Sequence, residues 1–262
     1  MFIYIFSGIF LYLIVGLVLF VIQRSITFNK SGKPLRPEEY GLRSIKEVFI
    51  ETPDKLTLLA WFHKPKDKNP ILIYFHGNSY DIGERAYRIE RYINKGWGVF
   101  LLAWRGYSGN KGTPTEKNLY IDGQTAIDWV KVNTGYHNSN IVLYGESLGC
   151  GVAVELCLQD KFKSIILEAP FTSVVDIGQN KYPIYPVKFF TLDKFDNLSK
   201  IDRISSPLLI INGKKDEVIP FTHGLQLFQK AKEPKKHVCV DEAMHNNLYE
   251  FDIDKEVISF NS

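Results

Sequence analysis

The sequence predicts an α/β protein: a mostly parallel sheet of about eight strands, helices on both faces, and one membrane-spanning helix in front. Three observations carry that prediction. Strand-like and helix-like segments alternate through the chain after residue 44. Continuous apolar runs such as 98–103 and 207–211 indicate strands buried on both faces, as in a parallel sheet between helical layers. Residues 1–23 carry no charged side chain and are almost wholly apolar. At about 1.5 Å per residue, a helix of that length crosses a hydrocarbon core of about 30 Å.

The apolar amino terminus reads as a retained single-span anchor. No Lys or Arg precedes Arg24 and no alanine precedes Ala60, so the basic start and Ala-x-Ala site of a secretory leader are both missing. Arg24, Lys30, Lys33 and Arg36 all come after the span, which by the positive-inside rule puts the rest of the chain in the cytoplasm. Residues 24–43 read as a linker or surface-hugging connection, since 29–41 is polar and holds two prolines. The folded domain is expected over 44–262.

Stretches 46–51 and 56–63 suit an antiparallel pair joined through Thr52-Pro53-Asp54. The strand at 71–76 leads to a helix near 83–95, and the strand at 98–104 to a helix near 116–133. Strands at 164–169, 207–212 and 236–240, with helices near 222–232 and 246–258, complete the alternation. Residues 171–204 interrupt it with an insert rich in aromatics, among them Tyr182, Tyr185, Phe189 and Phe190. Such an insert suits a lid or the wall of an acyl pocket, and plain helix packing accounts for it equally.

The most informative stretch runs from the fifth strand into the helix after it. Ile141-Val142-Leu143-Tyr144 enters Gly145-Glu146-Ser147-Leu148-Gly149, and a helix-like run over 151–156 leaves it. A Gly-x-Ser-x-Gly between strand and helix describes a nucleophile elbow, a sharp turn that pushes one serine hydroxyl off the sheet edge. The glycines leave room where side chains would collide with neighbouring strands. Downstream, the strand ending at Gly213 delivers Asp216 to the same edge, and the loop after 236–240 delivers His245. The chain order Ser, Asp, His is that of the α/β-hydrolase fold. Ser147 is the expected nucleophile, His245 the general base and then acid, and Asp216 the group that fixes the imidazole. Glu168, Glu217 and Asp241 compete with Asp216, Glu168 most strongly. The expected oxyanion donors are the backbone N–H groups of Leu148 and Asn78, the latter on the loop His76-Gly77-Asn78, where Gly77 lets the backbone turn.

These segments resemble α/β-hydrolase-domain proteins held at a membrane. The carriers are Tyr74-Phe75-His76-Gly77-Asn78, Arg105-Gly106-Tyr107-Ser108-Gly109, the elbow itself, Glu168-Ala169-Pro170-Phe171-Thr172-Ser173, Lys215-Asp216-Glu217-Val218-Ile219-Pro220 and Met244-His245-Asn246. The branch they resemble includes animal protein depalmitoylases and bacterial serine aminopeptidase-like hydrolases, and on it Ser147, Asp216 and His245 again fall on the triad. Ser79 and Tyr80 depart from the small residues usual after the His-Gly-Asn, and an apolar span replaces a cysteine-rich amino terminus. The resemblance implies hydrolysis of carboxylic esters or thioesters, protein depalmitoylation being one such activity, and the anchor and the aromatic insert favour a small-molecule or lipid-like substrate with an apolar acyl group. Serine aminopeptidase activity, or a non-catalytic membrane-tethered binding module, are the competing expectations.

Composition narrows the partners. At 262 residues the chain suits one sizeable domain with appendages. A net charge of +3 with both signs interspersed does not decide for or against a nucleic-acid partner, but no basic run with interleaved aromatics is present, which argues against one. Cys150, Cys157 and Cys239 form no CxxC and read as buried free thiols. No His, Cys or carboxylate spacing matches a zinc site, so neither metal nor cofactor is expected. His76 is expected to brace the oxyanion loop, Arg105 to make an ion pair beneath the site, and His63, His137 and His237 to be surface or strand residues. His223 is placed to approach the site. Asn197-Leu198-Ser199 fits a glycosylation sequon that a cytoplasmic domain would not use.

Overall fold

The computed structural model describes residues 2–262. Eight strands form one sheet: β1 (Lys46–Glu51), β2 (Thr57–His63), β3 (Ile71–Phe75), β4 (Gly98–Leu102), β5 (Ile141–Glu146), β6 (Ser164–Glu168), β7 (Leu208–Gly213) and β8 (Lys235–Val240). Their spatial order is β1-β2-β4-β3-β5-β6-β7-β8. The β1–β2 and β2–β4 pairs are antiparallel and every other pair is parallel. All residues of β3, β4, β5, β6 and β7 are buried, which is why these strands read as largely apolar runs.

Helices α2 (Ala86–Ile93), α3 (Glu116–Thr134), α4 (Leu148–Leu156), α7 (Thr222–Lys230) and α8 (Ile253–Phe260) cover the two faces. Successive strand residues divide between two cores, as a period of two requires. Ile71, Ile73 and Phe75 pack with Ala126 of α3, Val152 of α4 and Leu227 of α7. Leu72 and Tyr74 pack with Ile89 of α2 and Val257 of α8. The parallel register aligns Phe75 with Gly145 and Glu146 with Glu168, so the loops leaving β3, β5 and β6 meet along one edge.

Two helices start later than the sequence suggests. α2 begins at Ala86 because Ile82–Arg85 is a 3-10 turn whose cap, Asp81, accepts the Gly83 N–H at 2.7 Å. α8 begins at Ile253 because Leu248–Phe251 is a 3-10 turn and Asp252 adopts a left-handed φ of 55°.

At the amino end, α1 (Phe2–Thr27) is a single helix whose most apolar 18-residue stretch, within Tyr4–Thr27, has a mean hydropathy of 2.8, long and apolar enough to cross a membrane. Met1 lies outside the described residues. The helix runs past the expected end of the span because no Pro or Gly interrupts residues 24–27. The next residue, Phe28, is only 2% exposed and packs edge-to-face on Phe195. The connection from there to β1 hugs the domain: Ser31 Oγ accepts the Ser108 N–H at 3.1 Å, and Leu42 and Ile45 are buried. The segment between β6 and β7 carries two short helices, α5 (Val174–Lys181) and α6 (Val187–Phe190), which lie against α1. Tyr185 stacks on Tyr12 at 4.6 Å between centroids, Phe190 meets Phe20 edge-on, and Arg24 Nε donates to Asp193 at 2.8 Å.

Candidate active site

Ser147 occupies the turn between β5 and α4 with φ 49° and ψ −112°, a conformation L-residues avoid and one that costs about 1–3 kcal/mol. Contacts on both sides hold it there. Its N–H donates to Glu168 O at 2.9 Å, and its carbonyl accepts the Cys150 N–H at 2.9 Å. The flanking glycines permit the close packing, though not in the same way. A Cβ on Gly149 would lie 1.9 Å from the Phe75 carbonyl oxygen of the neighbouring strand, whereas one on Gly145 would meet the Cys150 backbone of α4 at 2.6 Å.

The loops after β7 and β8 carry the other two expected side chains to this turn. A Cβ on Gly213 would sit 2.3 Å from Ala243 O, so only glycine lets these loops approach so closely. Lys215 N–H donates to Ala243 O at 3.0 Å and ties them together. His245 Nε2 lies 3.1 Å from Ser147 Oγ, and His245 Nδ1 lies 2.7 Å from Asp216 Oδ2. The other oxygen of Asp216 accepts the Val218 and Ile219 N–H groups, both at 2.8 Å. A buried carboxylate with three donors cannot rotate freely, and facing Nδ1 it selects the tautomer whose Nε2 is an acceptor. The rival acids stand elsewhere. Glu217 is exposed, Asp241 pairs with Lys214 at 2.7 Å, and Glu168 is held by Arg88 at 3.0 Å and Tyr144 at 2.7 Å.

Leu148 is the first residue of α4, a position whose N–H has no intrahelical acceptor. The Asn78 carbonyl accepts from Asn29 N–H at 3.2 Å and Tyr107 Oη at 3.1 Å, and its side-chain amide donates to Thr27 O at 3.4 Å. Ser147, Leu148 and Asn78 border the same cavity, of about 660 Å³. Gly77 differs from expectation. It is not among the left-handed glycines, and its missing Cβ instead makes room for Glu146 Oε1, which would stand 3.0 Å away. The left-handed residue of this loop is Tyr80, at φ 64°, with its ring in solvent.

His76 braces the loop from inside. Its Nδ1 lies 2.7 Å from Gly77 O, and its Nε2 accepts the Trp104 N–H at 3.4 Å. Burial, reinforced by the nearby Arg85 charge, pushes its pKa down to about 3, so the ring stays neutral.

Beside the elbow lies a buried ion network that sequence reasoning missed apart from Glu168. Arg85 grips Glu146 through two bonds, at 2.8 and 3.1 Å, and Tyr74 Oη donates to the same carboxylate at 2.9 Å. Arg88 binds Glu168 and also receives the Tyr249 ring face, 4.8 Å away. Burial by itself would raise the Glu146 carboxyl, but Arg85 and Arg88 outweigh it and hold that group well below the usual carboxylate range. For Glu168 burial dominates over Arg88, and its carboxyl is pushed up. A signal existed in the sequence: Arg85 and Arg88 are three apart where a helix is expected near 83–95, and two glutamates, Glu146 and Glu168, end adjacent strands.

The remaining expectations divide. Arg105 makes its ion pairs, with Asp122 at 2.6 Å and Asp54 at 2.7 Å. His223 is buried against Thr172, whose Oγ1 lies 2.7 Å from its Nδ1. His237, on β8, contacts Asn212 of β7 at 3.0 Å and stacks on Phe221. Cys150 and Cys157 are buried thiols, whereas Cys239, on the edge strand β8, is exposed. Asn197 is fully buried with its amide on Phe171 O at 2.9 Å, which puts the sequon out of reach of any glycan. Among the described residues no cluster of His, Cys, Asp and Glu is arranged to hold a metal ion.

Residues 110–247, just over half the chain, match the prolyl oligopeptidase family. A Mycobacterium tuberculosis protein described as uncharacterized is 31% identical over 88% of this chain and 84% of its own length. Human alpha/beta hydrolase domain-containing protein 17B is 36% identical over 68% of this chain, which spans 60% of the human protein. An esterase of Pyrococcus furiosus has the same fold, with a TM-score of 0.72 and 17% identity over 88% of this chain and 94% of its own. A sheet of this order, an elbow of this shape and these relatives lead to one assignment: the chain belongs to the prolyl oligopeptidase family of α/β hydrolases and is a hydrolase-type enzyme.

Proposed function

We propose that this protein is a membrane-anchored serine hydrolase that cleaves carboxylic esters or thioesters of apolar acyl groups through an acyl-enzyme. The observation that carries the reading is the continuous line from Ser147 Oγ to His245 Nε2, 3.1 Å, and from His245 Nδ1 to Asp216 Oδ2, 2.7 Å. As Ser147 Oγ attacks the carbonyl, its proton passes to His245 Nε2, and Asp216 stabilises the imidazolium through Nδ1–H. The Leu148 and Asn78 N–H groups receive the developing oxyanion. The proton on Nε2 then goes to the departing alcohol or thiol, leaving Ser147 acylated. Water attacks the acyl-enzyme with His245 again as base, releasing the carboxylic acid and restoring the hydroxyl.

The family match also brings a peptidase reading into view. An aminopeptidase needs a carboxylate to receive the substrate's α-ammonium; among the described residues none borders the cavity at Ser147, and Glu217 lines a separate, smaller hollow against His245. That favours an apolar acyl group over a peptide amino terminus.

Fluorophosphonate labelling of the full chain tests the chemistry. Wild type should label and Ser147→Ala should not; equal labelling of both, or of neither, removes the serine-hydrolase reading. The anchor has a separate test. The full chain should resist extraction from membranes at high pH and come out in detergent. The exposed Cys239 should react with an impermeant maleimide only after the cytoplasmic side is opened, and reaction in intact cells would reverse the proposed orientation.

A further inference from the structure

We propose that α1 is one wall of an acyl-chain site as well as an anchor, and that the acyl chain enters this site from within the membrane. The inference rests on the serine-hydrolase reading above and deepens it. Tyr12, Gly16, Phe20, Gln23 and Thr27 recur at steps of three and four residues, which places them on one face of α1. All five border the cavity that reaches Ser147. The facing wall is the insert, through Tyr182, Tyr185, Val187 and Phe190. Lys181 is the only charged side chain on the lining among the described residues. A space of about 660 Å³ walled this way suits a hydrocarbon tail and offers little to a polar one.

The insert is fastened to α1 near both ends of this stretch. Tyr185 stacks on Tyr12 and its hydroxyl donates to Tyr12 O at 3.2 Å. Further along, Gln23 Oε1 accepts the Leu192 N–H at 2.9 Å, and Asp193 holds Arg24. With α1 spanning a bilayer over its apolar length, the insert lies at the same depth as Tyr12 to Gln23. Its outer side agrees: Ile184 is 70% exposed and Phe189 is 82% exposed, a surface for lipid and a liability in water.

Position along the helix then orients the substrate. From Tyr12 to Thr27 is about 22 Å at the usual helical rise. Thr27 and Ser147 stand at the end of the cavity nearest the charged domain, where the span gives way to Arg24 and the loops. An acyl carbonyl at the membrane interface therefore meets Ser147, while its tail extends along α1 toward Tyr12. Gly16 keeps the slot open: a Cβ there would already lie 3.1 Å from the Tyr185 ring.

A long-chain alkyl fluorophosphonate carrying a diazirine at its far end tests this on the full chain in lipid vesicles. Phosphonylation of Ser147 followed by photolysis should place the adduct within residues 12–20 or 182–190. Adducts confined to the loops around Val218 and Met244 would overturn the site while leaving the serine chemistry standing. Absence of phosphonylation would overturn both. In parallel, Gly16→Phe should lower the ratio of long-chain to acetyl ester turnover about tenfold, and Val21→Phe, on the lipid-facing side at 70% exposure, should leave that ratio unchanged. Equal behaviour of the two variants would count against the proposal.

Discussion

One residue before Ser147 the chain is immersed in ions, and from Ser147 outward it faces hydrocarbon-like walls. On the first side Glu146, Glu168, Arg85 and Arg88 are all buried and bonded to one another and to Tyr74 and Tyr144. On the second, Leu148 and Ile219 join α1 and the insert, with its Phe171 and Val174, around a cavity. The contrast separates two tasks. Directional, charge-assisted bonds fix a strained turn in one place, because a displaced partner leaves an unpaired buried charge. Non-directional apolar contacts accept a flexible guest without specifying its every atom.

Breaking the junction between the two regions should have the largest effect. Ser147→Ala is expected to lower kcat for ester hydrolysis by about 10⁶-fold, close to 8 kcal/mol, with the fold retained by circular dichroism. Next comes the ionic side. Arg88→Met strands the Glu168 carboxylate, whose side chain is 1% exposed, and should cost about 3–5 kcal/mol in denaturant unfolding. Adding Glu168→Gln should return part of that loss, since the stranded charge is then gone; no recovery would mean that packing, not charge, is what Arg88 supplies.

A third prediction concerns pH. His76 titrates at about 3 when folded against an ordinary value of 6.5, so the unfolded chain binds the extra proton between those values. Stability should therefore be unaffected by this group above pH 6.5 and fall as pH drops below it, by about 2 kcal/mol at pH 5. His76→Gln should be less stable at neutral pH and flatter across that window, as read from unfolding curves at both pH values. The smallest effect belongs to the edge of the apolar side. Arg24 is 44% exposed, so Arg24→Ala should cost only about 0.2–1 kcal/mol, measured by thermal unfolding in detergent.

Much of the sheet was legible because its central strands are apolar runs between turn residues, and the strand bounds fall within a residue or two of expectation. That Ser147, Asp216 and His245 would converge was also legible, since each comes after a strand of one parallel sheet and such strands deliver their loops to one edge. The partners of Arg85 and Arg88 were harder to see. Glu146 lies 61 residues from Arg85 and Glu168 lies 80 from Arg88, and no local periodicity encodes contacts at that range. The seating of the insert on α1 was hidden for a related reason. Tyr185 was legible as an aromatic of a lid-like insert, but nothing in the sequence pairs it with Tyr12, 173 residues away, and only the three-dimensional path places one against the other. The start of α8 was misread because Asn247 to Phe251 has helical composition yet closes as a tighter turn before Asp252 reverses the backbone.

Phe28 gives the molecule a kinetic character of its own. Because this ring is set into the domain directly after α1, the helix and the catalytic body turn as one piece instead of swinging on a tether. With α1 in a bilayer, as proposed, the search for an acyl substrate would be confined to the plane of the sheet of lipid. Turnover should then track the mole fraction of acyl substrate among the lipids: diluting it with inert lipid slows the reaction, and diluting the vesicles with buffer does not.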